Sequence, residues 1–221
     1  MNFNITPIEV RILGCLIEKE ATTPDVYPLS LNSLLTACNQ KSNRHPVMEL
    51  TSEDVVTALD SLIDKTLVST WQSGHNRTAK YQHKLRHRVS DKFNFSLPEV
   101  AALCILFLRG PQTGGEIRTR CARIHEFENL EAVADVVKAL ADNPDGPYVT
   151  TLARQGGHKE PRYAHLFCGE PDDTATPSSG FERTAGGDNS RMEALELQVS
   201  ELQSELLALE QRFETFMKQF E

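Results

Sequence analysis

The sequence of 221 residues predicts an α+β fold, mainly helical with small β-hairpins, on three observations. Capping signatures open apolar runs at helical spacing, short β-branched runs flank a glycine-containing turn, and the whole pattern occurs twice. A chain of this length with 39% hydrophobic residues can bury the core of one or two domains.

The repeat organises everything else. "ITPIEVRILGCLIEK" from Ile5 matches "FSLPEVAALCILFLR" from Phe95, with Glu9 over Glu99 and Val10 over Val100. "LNSLLTACNQ" matches "GGEIRTRCAR" with Cys38 over Cys121, and "EDVVTALDSLI" matches "EAVADVVKALA". "LVSTW" and "KYQH" then match "YVTTL" and "RYAH". Four segments recurring in one order with similar gaps mark a tandem duplication.

Each copy begins with a helix. Thr6 and Glu9 form a capping box with Pro7 at the first helical position, and Ile8, Ile12, Leu13, Leu16 and Ile17 follow at helical spacing. Ser96 with Glu99, and Thr113 with Glu116, carry the same signature in the second copy. A second helix is expected from about Ser30 to Asn39. A third opens at Thr51 and places Val55, Leu59, Leu62 and Ile63 on one face. "LVSTW" reads as a strand, "QSGHNRTA" as a turn and "KYQHKL" as the returning strand. Three helices and a two-stranded hairpin, twice over, make two tandem winged helix-turn-helix domains, residues 1–90 and 91–168. The run Val100 to Leu108 is too continuous for a helix with one wet face, so the other domain or a partner must cover it.

Three stretches carry a family resemblance: "YPLSLNSLLTACNQKSNRHPVM" (Tyr27 to Met48), "LRGPQTGGEIRTRCARIHEF" (Leu108 to Phe127) and "RYAHLFCG" (Arg162 to Gly169). Over residues 5–170 the chain closely resembles the YceH-like family of bacterial proteins, a domain of unknown function numbered 480. The resemblance implies tandem winged-helix domains in a cytoplasmic protein. It carries over no functional residues.

The tail is different in kind. Residues 169–190 are rich in Gly, Ser, Pro, Thr and Asp and read as a flexible linker. In residues 191–221 the apolar positions Met192, Leu195, Val199, Leu202, Leu206, Leu209, Phe213, Phe216 and Phe220 fall at 3-4 spacing. That seam predicts a left-handed coiled-coil helix and a homo-oligomer.

Charge separates these parts. The net charge is −8, and all of it lies beyond residue 168, because residues 1–168 hold 19 Lys/Arg against 19 Asp/Glu. Within that neutral body, Lys65 to Ser90 contains no acidic residue. The N-terminus lacks a secretory pattern, and the longest apolar run is far short of the roughly 20 residues that span a bilayer. Cys15, Cys38, Cys104 and Cys121 sit in apolar helical patterns and read as reduced core residues. No catalytic motif, metal set or cofactor fingerprint is present, so an enzyme is not expected. The repeated Tyr-x-His pairs, ending at His83 and His165, read as packing on hairpin faces.

A nucleic-acid reading must place the cations. The third helices carry Glu53, Asp54, Asp60 and Asp64, then Glu131, Asp135 and Asp142, so insertion into a phosphate-lined groove is disfavoured. The candidates for contact with double-stranded DNA are therefore loop and wing residues, with arginines of the second copy's second helix. In the first copy they are Lys41, Asn43, Arg44, His75, Arg77, Lys80, Lys84 and Arg86. In the second they are Arg118, Arg120, Arg123, Lys159 and Arg162. The alternative is a protein-interaction adaptor, by fold-level analogy with chromosome-segregation accessory proteins.

Overall fold

The computed structural model describes residues 4–71, 79–86, 93–152 and 160–171. Six helices and six short strands run in the same order in both halves. The first half comprises α1 (Pro7–Thr22), β1 (Leu29–Ser30), α2 (Leu31–Cys38), α3 (Ser52–Asp64), β2 (Val68–Trp71) and β3 (Lys80–His83). The second comprises α4 (Leu97–Arg109), β4 (Gln112–Thr113), α5 (Gly114–Cys121), α6 (Leu130–Ala141), β5 (Val149–Thr151) and β6 (Arg162–His165). No helix among the described residues is long and apolar enough to cross a membrane.

The helix starts follow their local signatures. Thr6 accepts from Glu9 N at 3.2 Å while Glu9 Oε2 accepts from Thr6 N at 2.6 Å, so two orphan donors are satisfied reciprocally. Capping boxes recur at Thr51 with Asp54, Ser96 with Glu99 and Thr113 with Glu116. Glu9 is itself buried. Burial pushes its carboxyl up, but hydrogen bonds from Lys65, Ser61 and Thr6 outweigh that and hold it below its ordinary value.

The sheets correct the expected two-stranded hairpins. Each has three antiparallel strands, ordered β1-β3-β2 and β4-β6-β5. The added strand is two residues long and pairs with the returning strand, Leu29 opposite Tyr81 and Gln112 opposite Tyr163. So short a strand has no periodicity of its own, and its partner lies some fifty residues on.

Residues 4–171 belong to one compact unit. α1 packs on α4, and every residue from Val100 to Leu108 is buried. The first half is thus the cover that the apolar run requires. Gly14 and Cys104 are counterparts under the repeat, and they meet: Cys104 Sγ donates to Gly14 O at 3.4 Å. The missing side chain at Gly14 allows this approach, since a Cβ there would lie 2.8 Å from Leu108 Cδ2 and 3.1 Å from Phe107 Cβ. Further ties join the halves, from Ile5 N to Phe167 O at 3.3 Å and from Phe95 N to Leu85 O at 3.1 Å. Phe93, Phe95, Tyr148 and Phe167 form an aromatic cluster there.

The two histidines of the repeated Tyr-x-His differ. His83 is buried with Nε2 2.9 Å from Glu20 Oε2. His165 instead meets Phe107 edge-on at 5.2 Å, and its buried Nδ1 has no hydrogen-bond partner among the described residues. Burial lowers its pKa from 6.5 to about 4. The unfolded chain therefore takes up this proton first on acidification. Its contribution is fully present above pH 6.5 and falls by roughly 3 kcal/mol as pH drops towards 4. Urea unfolding across that window should show a flatter pH dependence for His165→Gln than for wild type. Equal slopes would contradict the assignment.

Candidate nucleic-acid interface

The loop from Asn39 to His45 was expected to present Lys41, Asn43 and Arg44 to phosphates. Only Arg44 turns its side chain inward; Lys41, Asn43 and His45 are exposed. The Arg44 side chain is 0% exposed. Its Nε donates to Ala37 O at 3.1 Å, Nη1 to Glu18 Oε1 and Asn43 O, and Nη2 to Glu18 Oε2 and Gln40 Oε1. All five guanidinium hydrogens are used. Burial works against the charge, but the 2.6 Å contact with Glu18 outweighs it and raises the pKa. Arg44 is corrected from a phosphate contact to an internal tie between α1, α2 and the loop.

Asn43 is exposed, with its carboxamide oxygen engaged. Its φ of +60° places it in the left-handed region, where Asn is better tolerated than most residues. Its Oδ1 accepts from Arg109 at the end of α4. His45 N donates to Leu108 O at 2.8 Å. The loop therefore seals the junction between the halves, and of the three expected contacts only Lys41 is exposed and unpaired among the described residues.

The second half uses its helix arginines in a similar way. Arg118 Nε and Nη2 donate to Phe127 O and Glu128 O at 3.3 and 2.8 Å, holding the connection to α6. Arg120 pairs with Glu116 at 3.2 Å and bonds Gln112 Oε1. These two side chains are occupied by local structure. Arg162 lies on β6, half-buried, opposite Thr113.

Cations remain on the first hairpin. Lys80 Nζ stands 6.0 Å from the centroid of Trp71, which is 46% exposed. Lys84 follows, its backbone bonded to Leu67 O. Arg86 and Arg123, one from each half, come together at a single cleft. His75, Arg77, Lys159 and the whole heptad seam lie outside the described residues. Glu53, Asp60, Asp64, Glu131, Asp135 and Asp142 are exposed, and among the described residues no ion pair uses them. Nor does any group of three or more His, Cys, Asp or Glu among those residues form a metal site.

The sequence model described as "Protein of unknown function, DUF480" matches residues 5–158. The chain belongs to that family. It is similar to the UPF0502 protein YceH of Salmonella paratyphi C and of Salmonella choleraesuis. In both cases identity is 44% over 209 residues, covering 95% of this chain and 97% of the relative.

Within this DUF480 chain, sequence reasoning overlooked the buried charge of Arg11 and the half-buried Glu18 that holds Arg44. Arg11 is 1% exposed and donates to Cys38 O at 3.2 Å and Pro46 O at 2.5 Å. One signal was available. Arg11 interrupts an apolar run whose counterpart in the second copy is Ala101. A charge kept at a core position implies buried acceptors.

Proposed function

We propose that the chain is a tandem winged-helix protein that holds duplex DNA by its phosphates, through the first hairpin, and self-associates through the seam at 192–220. The supporting observation is Lys80 over the exposed Trp71 at the base of a segment that adds His75 and Arg77 with no acid nearby. An exposed ring with a lysine over it suits a sugar-phosphate surface. The acids on α3 and α6 argue against groove reading by either helix, so the contact is mainly independent of sequence.

A second reading is supported by Val56 and Leu130, 38% and 51% exposed on those same acidic helices. Exposed apolar side chains on helices that also carry exposed carboxylates suit a basic protein partner, as in an adaptor. Fluorescence anisotropy with labelled random duplexes at about 50 mM salt separates the two. The DNA reading expects saturable binding of every duplex and weaker binding by Lys80→Ala. Absence of binding at that salt would leave the adaptor.

A further inference from the structure

We propose that the cleft shared by the two halves binds a small organic anion, a carboxylate or phosphate head on a short apolar body. The cleft encloses about 240 Å³. Half-buried Leu97 and Ile124 supply apolar surface over the buried Ile17 and Val100, and Arg86 and Arg123 supply two guanidinium groups.

The duplication accounts for the opening. In the first half the connection after α2, residues 39–51, is long enough to fold onto the end of α4 and close that junction. Its counterpart after α5, residues 122–129, is shorter. It leaves Glu20 and Ala21 of α1 uncovered, and a space remains. The cations behave differently at the two junctions. Arg44 and Arg109 are occupied at the closed one, by Glu18 and Asn43. At the open one, Arg86 and Arg123 are exposed and make no hydrogen bond or ion pair among the described residues. Glu20 also lines the space, but its carboxylate is held by His83 Nε2 at 2.9 Å.

Size and chemistry select the occupant. The volume is below the roughly 300–1,000 Å³ of drug-sized sites, and a duplex backbone does not enter it. Two guanidinium groups match the oxygens of one carboxylate or phosphate, and apolar walls take a short hydrocarbon body. Arg86 and Arg123 therefore belong to this cleft and not to the DNA surface, and the inference stands without the DNA reading.

Isothermal titration calorimetry on the full chain tests it with octanoate, octyl phosphate, inorganic phosphate and 1-octanol, each below its micelle or solubility limit. Saturable one-site binding is expected for octanoate or octyl phosphate. Inorganic phosphate and the neutral alcohol should bind at least about tenfold more weakly. Arg86→Gln and Arg123→Gln, both exposed and outside the core, should each weaken the anions by about 10- to 100-fold, the scale of one lost charge-assisted hydrogen bond. Lys80→Gln, outside the cleft's lining, should leave them unchanged. DNA binding by the two arginine variants, measured in parallel, should match wild type. The proposal is overturned if neither amphiphilic anion binds at millimolar concentration, if octanol binds equally well, or if Lys80→Gln weakens the anions as much as Arg123→Gln.

Discussion

Arg44→Ala is expected to lower unfolding free energy by about 3 kcal/mol and to leave the salt dependence of DNA binding by the folded protein unchanged. The side chain is fully buried and satisfies five hydrogen bonds, two of them to Glu18. Truncation leaves the Glu18 carboxylate and the carbonyls of Ala37 and Asn43 without their donor. Losing one partner of a buried pair costs roughly 3–5 kcal/mol, and the 17% exposure of Glu18 lets water recover part of that. The low end of the range applies. Against a total stability of roughly 5–15 kcal/mol this is a large fraction. Urea denaturation reads it, and an unchanged midpoint would contradict the internal role. A loss of one unit in salt slope without loss of stability would restore Arg44 as a phosphate contact.

Gly14→Val is expected to cost more than Gly14→Ala, and both should destabilise. Two effects oppose each other at this position. Replacing glycine by alanine inside a helix gains roughly 1 kcal/mol of propensity. The added Cβ, however, would sit 2.8 Å from Leu108 Cδ2, 2.9 Å from its Cγ and 3.1 Å from Phe107 Cβ. Leu108 can turn only within a packed core, and Phe107 Cβ is fixed to its backbone. Overpacking of this kind costs roughly 1–3 kcal/mol, so the clash wins narrowly for alanine. Valine adds two methyl groups at the crossing of α1 and α4 and loses propensity, so about 3 kcal/mol is expected. Thermal unfolding of the two variants tests the order. A stabilised Gly14→Ala would show that the helices can separate without cost.

Local chemistry was legible in the sequence, and distant pairing was not. The capping boxes at Thr6, Ser96 and Thr113 were readable because both partners lie within four residues. The duplication was readable because it repeats spacing as well as residue type. Burial of Val100 to Leu108 followed from composition, and the duplication offered its first copy as a cover. The sheets' extra strands were hidden, because Leu29 and Ser30 gain their partners only when Tyr81 and Lys80 return. Arg44 was misassigned for the same reason. Its carboxylate, Glu18, lies 26 residues back on another helix, and nothing near Arg44 in sequence announces it. Arg11 was the reverse case, a charge whose apolar neighbours already gave away its burial. Arg86 and Arg123 were grouped as cations, but only the fold brings these two, one from each half, to one cleft.

The salt dependence of duplex binding tests the functional account most directly. Anisotropy titrations of wild type, Arg77→Ala and Asp60→Ala should be compared from about 50 to 200 mM salt. If the first hairpin grips phosphates, wild type binds every duplex, and Arg77→Ala lowers the slope by roughly one unit, similarly across sequences. Removing the exposed Asp60 carboxylate from α3 leaves binding equal or stronger, because it only repels phosphates. If Arg77→Ala leaves the slope unchanged while Asp60→Ala abolishes binding, the hairpin is not the contact and α3 is.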